Sequence, residues 1–214
     1  MTLTFDPLII TLVAVAGYLM GNLQTSLLLS KLRFADDVRK YGSGNAGATN
    51  MFRVYGRAYG LVTFAGDAVK CIAATLVGRW LGGALGICDD PLLAIKLGGY
   101  ICGFAAVLGH CYPVLFKFKG GKGAASSYAF MWMIFPIGAA ITTVAVVFVY
   151  LLVKRISVVS IAGALMFIIL SLLIGRPAPY LQITVAACAT LVLLRHIPNI
   201  RRLITGEEKE TKRN

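Results

Sequence analysis

The residues most able to do chemistry lie in three polar stretches. The first is Tyr41–Asn50, with Gly42, Ser43, Gly44, Asn45, Gly47, Thr49 and Asn50, followed closely by Arg53. The second opens at Gly109-His110 and continues through Lys117, Lys119, Gly120, Gly121, Lys122 and Gly123. The third holds His196, Asn199, Arg201, Arg202, Gly206 and Glu208. Glycines and small hydroxyls expose backbone N–H groups and leave room for a ligand, and that combination suits an anion, above all a phosphate. A Gly- and Asn-rich stretch is also what a plain interhelical loop looks like. The first stretch alone leaves both readings open.

The elements that position these stretches are membrane helices. The chain has 214 residues, of which 58% are hydrophobic and 14% charged, and its mean hydropathy is +0.79. A soluble domain is about 25% charged, so this is a membrane composition. The length suits roughly six to eight spans of about 20 residues. It leaves no room for a separate soluble domain, which predicts one membrane domain over 1–206 and a frayed, charged tail over 207–214. The start does not read as a cleaved signal peptide: Asp6 and no Lys or Arg precedes the first apolar run.

Apolar runs are expected from about Phe5 to Leu32, Tyr59 to Leu85 and Leu92 to Leu115. The run from Ala124 to Val153 is too short for two full spans and long for one. Pro136 and Gly138 are its natural break, although a single tilted helix also fits. Further runs go from Ile156 to Ile174 and from Tyr180 to Leu194, and Cys88–Pro91 and Gly175–Pro179 read as loops. Asn22, Gln24, Thr25 and Ser26 mark a face of the first run turned to protein or a polar cavity rather than lipid. Seven spans result.

With alternating helices, 17 of the 21 Lys and Arg residues fall on one side, at 31–57, 117–122, 154–155 and from 195 onward. The positive-inside rule puts that side in the cytoplasm, so the expected protein is all-α, with seven transmembrane helices, N-terminus outside and C-terminus cytoplasmic. The three polar stretches then share the cytoplasmic face, and their convergence favours an anionic substrate. The net charge of +12 follows mainly from this topology, and no nucleic-acid module is visible.

Two apparent motifs fail. Gly42–Gly47 fits G-x-G-x-x-G, but Ala35–Tyr41 is no strand and membrane helices flank both sides. Gly121-Lys122 lacks the first glycine of a Walker loop, and Gly123 stands where Ser or Thr should be. Cys71, Cys88, Cys102, Cys111 and Cys188 show no ligand spacing and read as small core residues. No metal or cofactor is expected. Asp67 and Lys70, three apart in one span, can neutralise each other.

The three stretches resemble, in order, the three motifs of the PlsY family, bacterial membrane glycerol-3-phosphate acyltransferases. The matching residues are Gly42–Asn50 with Arg53, Gly109–Gly123, and His196–Arg202 with Gly206 and Glu208. The resemblance covers nearly the whole chain. It departs at Gln24, where many members have proline, and at Cys71, where glycine is common. It implies a multi-pass protein of the bacterial plasma membrane with its active site facing the cytoplasm. It also implies acyl transfer from acyl phosphate to the 1-hydroxyl of sn-glycerol 3-phosphate. The products would be lysophosphatidic acid and phosphate, in the first acylation of phospholipid biosynthesis. Expected partners are acyl phosphate, sn-glycerol 3-phosphate, membrane lipids and the enzyme that makes acyl phosphate.

Under this resemblance Ser43, Arg53, Lys122, His196 and Asn199 are the catalytic candidates. Gly42, Gly44, Asn45, Thr49, Asn50, His110, Gly120, Gly121, Gly123, Arg201 and Glu208 are the substrate-binding candidates. Other uses stay open. Ser43 fits a turn, Arg53 and Lys122 fit interfacial anchors, and His110 and His196 fit helix ends. Arg201, Arg202 and Glu208 fit a tail ion-pair cluster. Direct attack by glycerol, with substrate phosphate as base, competes with an acyl-enzyme on Ser43. A transporter for a phosphorylated metabolite is the alternative from another class, disfavoured because the polar groups cluster at one face.

Overall fold

The computed structural model describes residues 4–174 and 179–208. Two Asp-Pro pairs start helices. Asp6 accepts from the N–H groups of Leu8 and Ile9, Asp90 does the same for Leu92 and Leu93, and Pro7 and Pro91 occupy first-turn positions where no N–H is needed. They open α1 (Pro7–Gly21) and α5 (Pro91–Cys111). The Asp6 N–H donates to the Ile87 carbonyl at 3.0 Å, so the two helices begin side by side.

The chain forms two compact units, Met1–Ile134 and Phe135–Asn214. In the first unit, α1 is followed by α2 (Thr25–Phe34), α3 (Ala48–Tyr55), α4 (Arg57–Leu85), α5 and α6 (Ala124–Ile134). Helix α5 packs against both α1 and α4, while α2, α3 and α6 pack on α4. Close approach is the reason for the small residues here. A Cβ on Gly17 or Gly21 would strike the carbonyls of Cys102 or Ala106, and one on Gly78 or Gly82 those of Gly98 or Ala94. Where lipid replaces water, such backbone proximity, rather than the hydrophobic effect, holds helices together. All five cysteines are free and buried.

The second unit holds α7 (Pro136–Val153), α8 (Ile156–Leu173), α9 (Pro179–Arg195) and α10 (Ile197–Ile204). Ala164, Ala189 and Val192 are buried between α8 and α9, with Ile168 and Leu193 packed on them. Helices α9 and α10 meet at 53° at His196.

Among the described residues, five helical stretches are long and apolar enough to cross a membrane: Pro7–Phe34, Arg57–Leu85, Pro91–Phe116, Pro136–Val153 and Ile156–Leu173. The bent pair α9–α10 makes six. The expected break at Pro136 is present, but the 11-residue α6 on its own reaches only about 16 Å. The first run is broken as well: α1 ends at Gly21 and α2 restarts at Thr25, at the polar residues Asn22 and Gln24. Lys154-Arg155 separates α7 from α8 as expected. The loop expected at Gly175–Pro179 lies, except for Pro179, outside the described residues, as does the tail from 209. The first two tail residues are not frayed, because the N–H groups of Glu207 and Glu208 both donate to the Arg202 carbonyl.

Candidate functional site

Because α1 and α5 start together and pack side by side, the segments after α2 and after α5 emerge in one region of the first unit. The first glycine loop rests on an apolar plug of Leu27, Val38, Ala46 and Met51, with Val54, Tyr59 and Phe116 packed around it. Asn50 shapes the loop from inside. Its buried side chain accepts the Ser43 N–H at 2.9 Å and donates to the carbonyls of Val38 and Tyr41, both at 3.1 Å. Gly42 has φ +61°, and a Cβ there would strike the Asn50 amide oxygen. A side chain is excluded twice at that position, by conformation and by space. Asn50 was expected to touch substrate; the contacts it makes are to the loop.

The loop leads straight into α3 through Gly47, which caps the helix without a side-chain hydrogen bond. The first N–H groups of α3 have no intrahelical acceptor and carry the positive end of the helix dipole. Ser43 is exposed beside this region of chain, and Thr49 and Arg53, four residues apart, share the exposed face of α3. Small donors, a helix start and a guanidinium are what a phosphate needs.

The second loop is locked against the first. Arg39 grips Asp37 with two nitrogens, Nη2–Oδ2 at 2.6 Å and Nε–Oδ1 at 3.0 Å, and its Nη1 donates to the carbonyls of Phe116 and Lys119. The guanidinium holds the Asp37 carboxyl below its ordinary range. Hydrogen bonds from Lys40 and Tyr41 draw the neighbouring Asp36 down to about 2. Lys117 and Phe118 both adopt left-handed conformations, at φ 57° and 58°. Such strain outside glycine persists only where the surroundings impose it. The Gly121 N–H donates to the His110 carbonyl at 3.1 Å. A Cβ on Gly120 would strike that same carbonyl, and one on Gly121 would strike His110 Nε2 and sit 3.0 Å from the Ala46 carbonyl. Gly123, at φ +80°, packs against Cys111. Lys122 is half-buried.

The expected neutralisation of Asp67 by Lys70 is present at 3.0 Å, with both side chains buried. Sequence reasoning did not give this pair its partners. Lys70 Nζ also lies 2.9 Å from His110 Nδ1 and donates to the Leu23 carbonyl at 2.6 Å, while Thr25 donates to Asp67. Gln24 Nε2 donates to the His110 carbonyl at 3.0 Å. An apolar groove beside these residues is lined by Met20, Leu23, Leu28, Leu32, Val69 and Ala73, with Lys70 also at its wall.

In the second unit, His196 is buried and its Nδ1 lies 2.8 Å from the Val192 carbonyl, so Nδ1 carries the proton. Buried Asn199 donates to Glu208 Oε1 at 2.7 Å, and Arg202 Nε donates to Oε2 at 2.8 Å. Burial pushes the Glu208 carboxyl up, but the hydrogen bonds from Arg202 and Asn199 prevail and hold it below the ordinary range. Glu208 thus orients Asn199 and pairs with Arg202, the ion-pair use that the sequence left open. Arg201 is exposed.

A family model for glycerol-3-phosphate acyltransferase matches residues 11–206. The chain belongs to this family. Glycerol-3-phosphate acyltransferases of Finegoldia magna and Staphylococcus aureus are 35% and 36% identical to it, each over 207 residues. Those alignments cover 97% and 96% of this chain and 98% and 99% of the relatives. It is also similar to the crystal structure of PlsY (YgiH), an integral membrane glycerol 3-phosphate acyltransferase, in its glycerol 3-phosphate form. That match has a TM-score of 0.81 and 30% identity, and covers 94% of each chain. The lysophosphatidic acid form of PlsY matches with a TM-score of 0.78. The resemblance to the PlsY family read from the three motifs therefore holds, and the chain is a membrane acyltransferase of that family.

Proposed function

We propose that the protein transfers a fatty acyl group from acyl phosphate to the 1-hydroxyl of sn-glycerol 3-phosphate, giving lysophosphatidic acid and phosphate. The observation that carries this is the meeting of two glycine-rich loops, Gly42–Asn50 and Lys117–Gly123, where a Cβ on Gly121 would sit 3.0 Å from the Ala46 carbonyl and Arg39 reaches the Lys119 carbonyl, in a member of this family. The glycerol oxygen bonds to the acyl carbonyl carbon. The bond from that carbon to the phosphate oxygen breaks, and phosphate leaves with the electron pair and takes up the hydroxyl proton. Acyl phosphate has a good leaving group, so placement and charge compensation carry most of the task.

In this reading Ser43 and the start of α3 hold one phosphate, with Arg53 and Lys122 as the cations. In the second unit His196 and the Glu208-oriented Asn199 supply an acceptor and a donor to substrate. Gly42, Gly44, Asn45, Thr49, Gly120, Gly121, Gly123 and Arg201 line substrate paths, and Asn50 acts from beneath. The apolar groove lined by Met20, Leu23, Leu28, Leu32, Val69 and Ala73 takes the acyl tail. We place seven spans in a bacterial plasma membrane, counting α6 with its neighbours, with the N-terminus outside and the site facing the cytoplasm. Residues 1–206 work as one domain, and the enzyme that makes acyl phosphate supplies it. His110 is committed to Lys70 through Nδ1 and faces Gly121 through Nε2, which argues against His110 as the base for a Ser43 acyl-enzyme, and direct attack is the mechanism we favour.

The test is purified protein in detergent with acyl phosphate, with phosphate release measured with and without glycerol 3-phosphate. Release that depends on the acceptor is expected, and its absence refutes the function. Labelled acyl phosphate without acceptor should leave no stable label on Ser43. Replacing Arg53, Lys122 or Asn199 by Ala should each cost about 100-fold or more in turnover without loss of folding. Near-normal turnover in all three would end the site assignment.

A further inference from the structure

Three ionisable side chains lie beneath the second glycine loop, and the chemistry above gives none of them a role. Lys70, Asp67 and His110 have side chains only 6%, 2% and 4% exposed. Lys70 Nζ stands 3.0 Å from Asp67 Oδ1, 2.6 Å from the Leu23 carbonyl and 2.9 Å from His110 Nδ1. An ammonium has three donors and no acceptor, so these three partners use all of its hydrogens. His110 Nδ1 must then accept, and a neutral ring carries its proton on Nε2. The longer 3.5 Å from Nδ1 to Asp67 Oδ1 agrees: both atoms accept from Lys70 instead of sharing a proton.

The Nε2 edge faces the junction of the two loops. It occupies the space a Cβ on Gly121 would need, and that same point is 3.0 Å from the Ala46 carbonyl of the first loop. We propose that Lys70, oriented by Asp67 and the Leu23 carbonyl, is a positioning residue that locks His110 in its Nε2–H form, so that a fixed N–H donor is held toward Gly121 of the second glycine loop. That this donor serves acyl phosphate rests on the function proposed above; the lock on the ring does not.

The chain has two histidines, so 15N-histidine-labelled full-length protein in detergent gives two ring spin systems, assigned with His110→Gln. The native His110 ring should show a protonated Nε2 and a bare Nδ1. In Lys70→Met a sizeable Nδ1–H population should appear. Should that variant fail to fold because Asp67 is left unpaired, Asp67→Asn with Lys70→Met removes both charges and should show the same release. A native ring protonated on Nδ1, or a folded Lys70 variant with an unchanged ring, overturns the lock. For the donor, Gln places an amide N–H near the position of Nε2 and Asn near that of Nδ1. His110→Gln should therefore exceed His110→Asn by about 10- to 100-fold in kcat/KM for acyl phosphate. Equal values in the two variants overturn the donor. If the native protein shows no acceptor-dependent turnover, the function fails, while the ring spectra still decide the lock.

Discussion

Asn50→Ala should weaken catalysis strongly while leaving the protein folded. The side chain makes three hydrogen bonds to the loop it supports, from the Ser43 N–H and to the carbonyls of Val38 and Tyr41. At about 1 kcal/mol each they amount to about 3 kcal/mol. The carbonyls of Val38 and Tyr41 keep the N–H groups of Tyr41 and Gly44, and water can reach Ser43 at the exposed rim, so part of this is recovered. A net loss of about 1–3 kcal/mol falls on the loop. The apolar plug of Leu27, Val38, Ala46 and Met51 keeps the surrounding helices together. If an ordered loop is required in the transition state, kcat/KM falls by about 5- to 150-fold. Asn50→Asp should fall at least as far, because it sets a carboxylate oxygen where the amide nitrogen now lies 3.1 Å from two carbonyls. The assay is acceptor-dependent phosphate release, with thermal unfolding in the same detergent. A folded Asn50→Ala with kcat/KM within about threefold of native would refute the claim that this amide organises the site.

Gly120→Ala should be severely impaired, since its Cβ would meet the His110 carbonyl, Pro113 and the Cys111 carbonyl, none of which can move aside as a flexible side-chain end could. The expected signature is a drop in kcat/KM of about 100-fold or more with secondary structure intact by circular dichroism. Glu208 predicts an acid effect. Its carboxyl is held below the ordinary range in the folded protein, so its contribution is complete above the usual Glu value near pH ~4.3 and is lost as pH falls through the lowered folded value. The difference in Tm between native and Glu208→Gln should stay constant from neutral pH down to about pH 5 and shrink below about pH 4. A difference that instead grows toward acid would contradict the pairing. Gln24→Pro should stay folded and active. Gln24 is the residue before α2 at φ −92°, near what proline supplies, and the variant loses mainly the bond to the His110 carbonyl, about 1 kcal/mol. Loss of folding in detergent would show that this contact organises the helix break.

Local signals in the chain were legible and long-range partners were not. Pro136, Lys154-Arg155 and the glycine-rich stretches act on the backbone within a few residues, so their structural meaning travels with their position. The break at Asn22 and Gln24 was visible only as polarity, because the amides that make it useful bond to segments far away: Asn22 to the Leu115 N–H and Gln24 to the His110 carbonyl. Helix α10 was not among the expected elements; its Pro198 sits in the first turn, where proline removes no needed N–H.

Arg39 shows the same limit at the site itself. In sequence it is one of six basic residues in a positive-inside segment, and it was counted only as topology. In the structure it is the clasp between the two loops, reaching carbonyls 77 and 80 residues away while Asp37 holds its other edge. Asp37 is what separates the two roles. A cation that only marks the cytoplasmic side has no need of a two-point carboxylate grip, whereas a guanidinium that must aim one nitrogen at two backbone oxygens does. The signal available in sequence was therefore the pairing Asp37-x-Arg39 immediately before a glycine loop, and not the charge count. The same logic separates Lys70 from the other lysines: it is the one placed a helical turn after an acid inside a span, where an unmatched charge would be costly. In a membrane protein this basic, a cation's function is read from its partner, because its charge alone is already accounted for by topology.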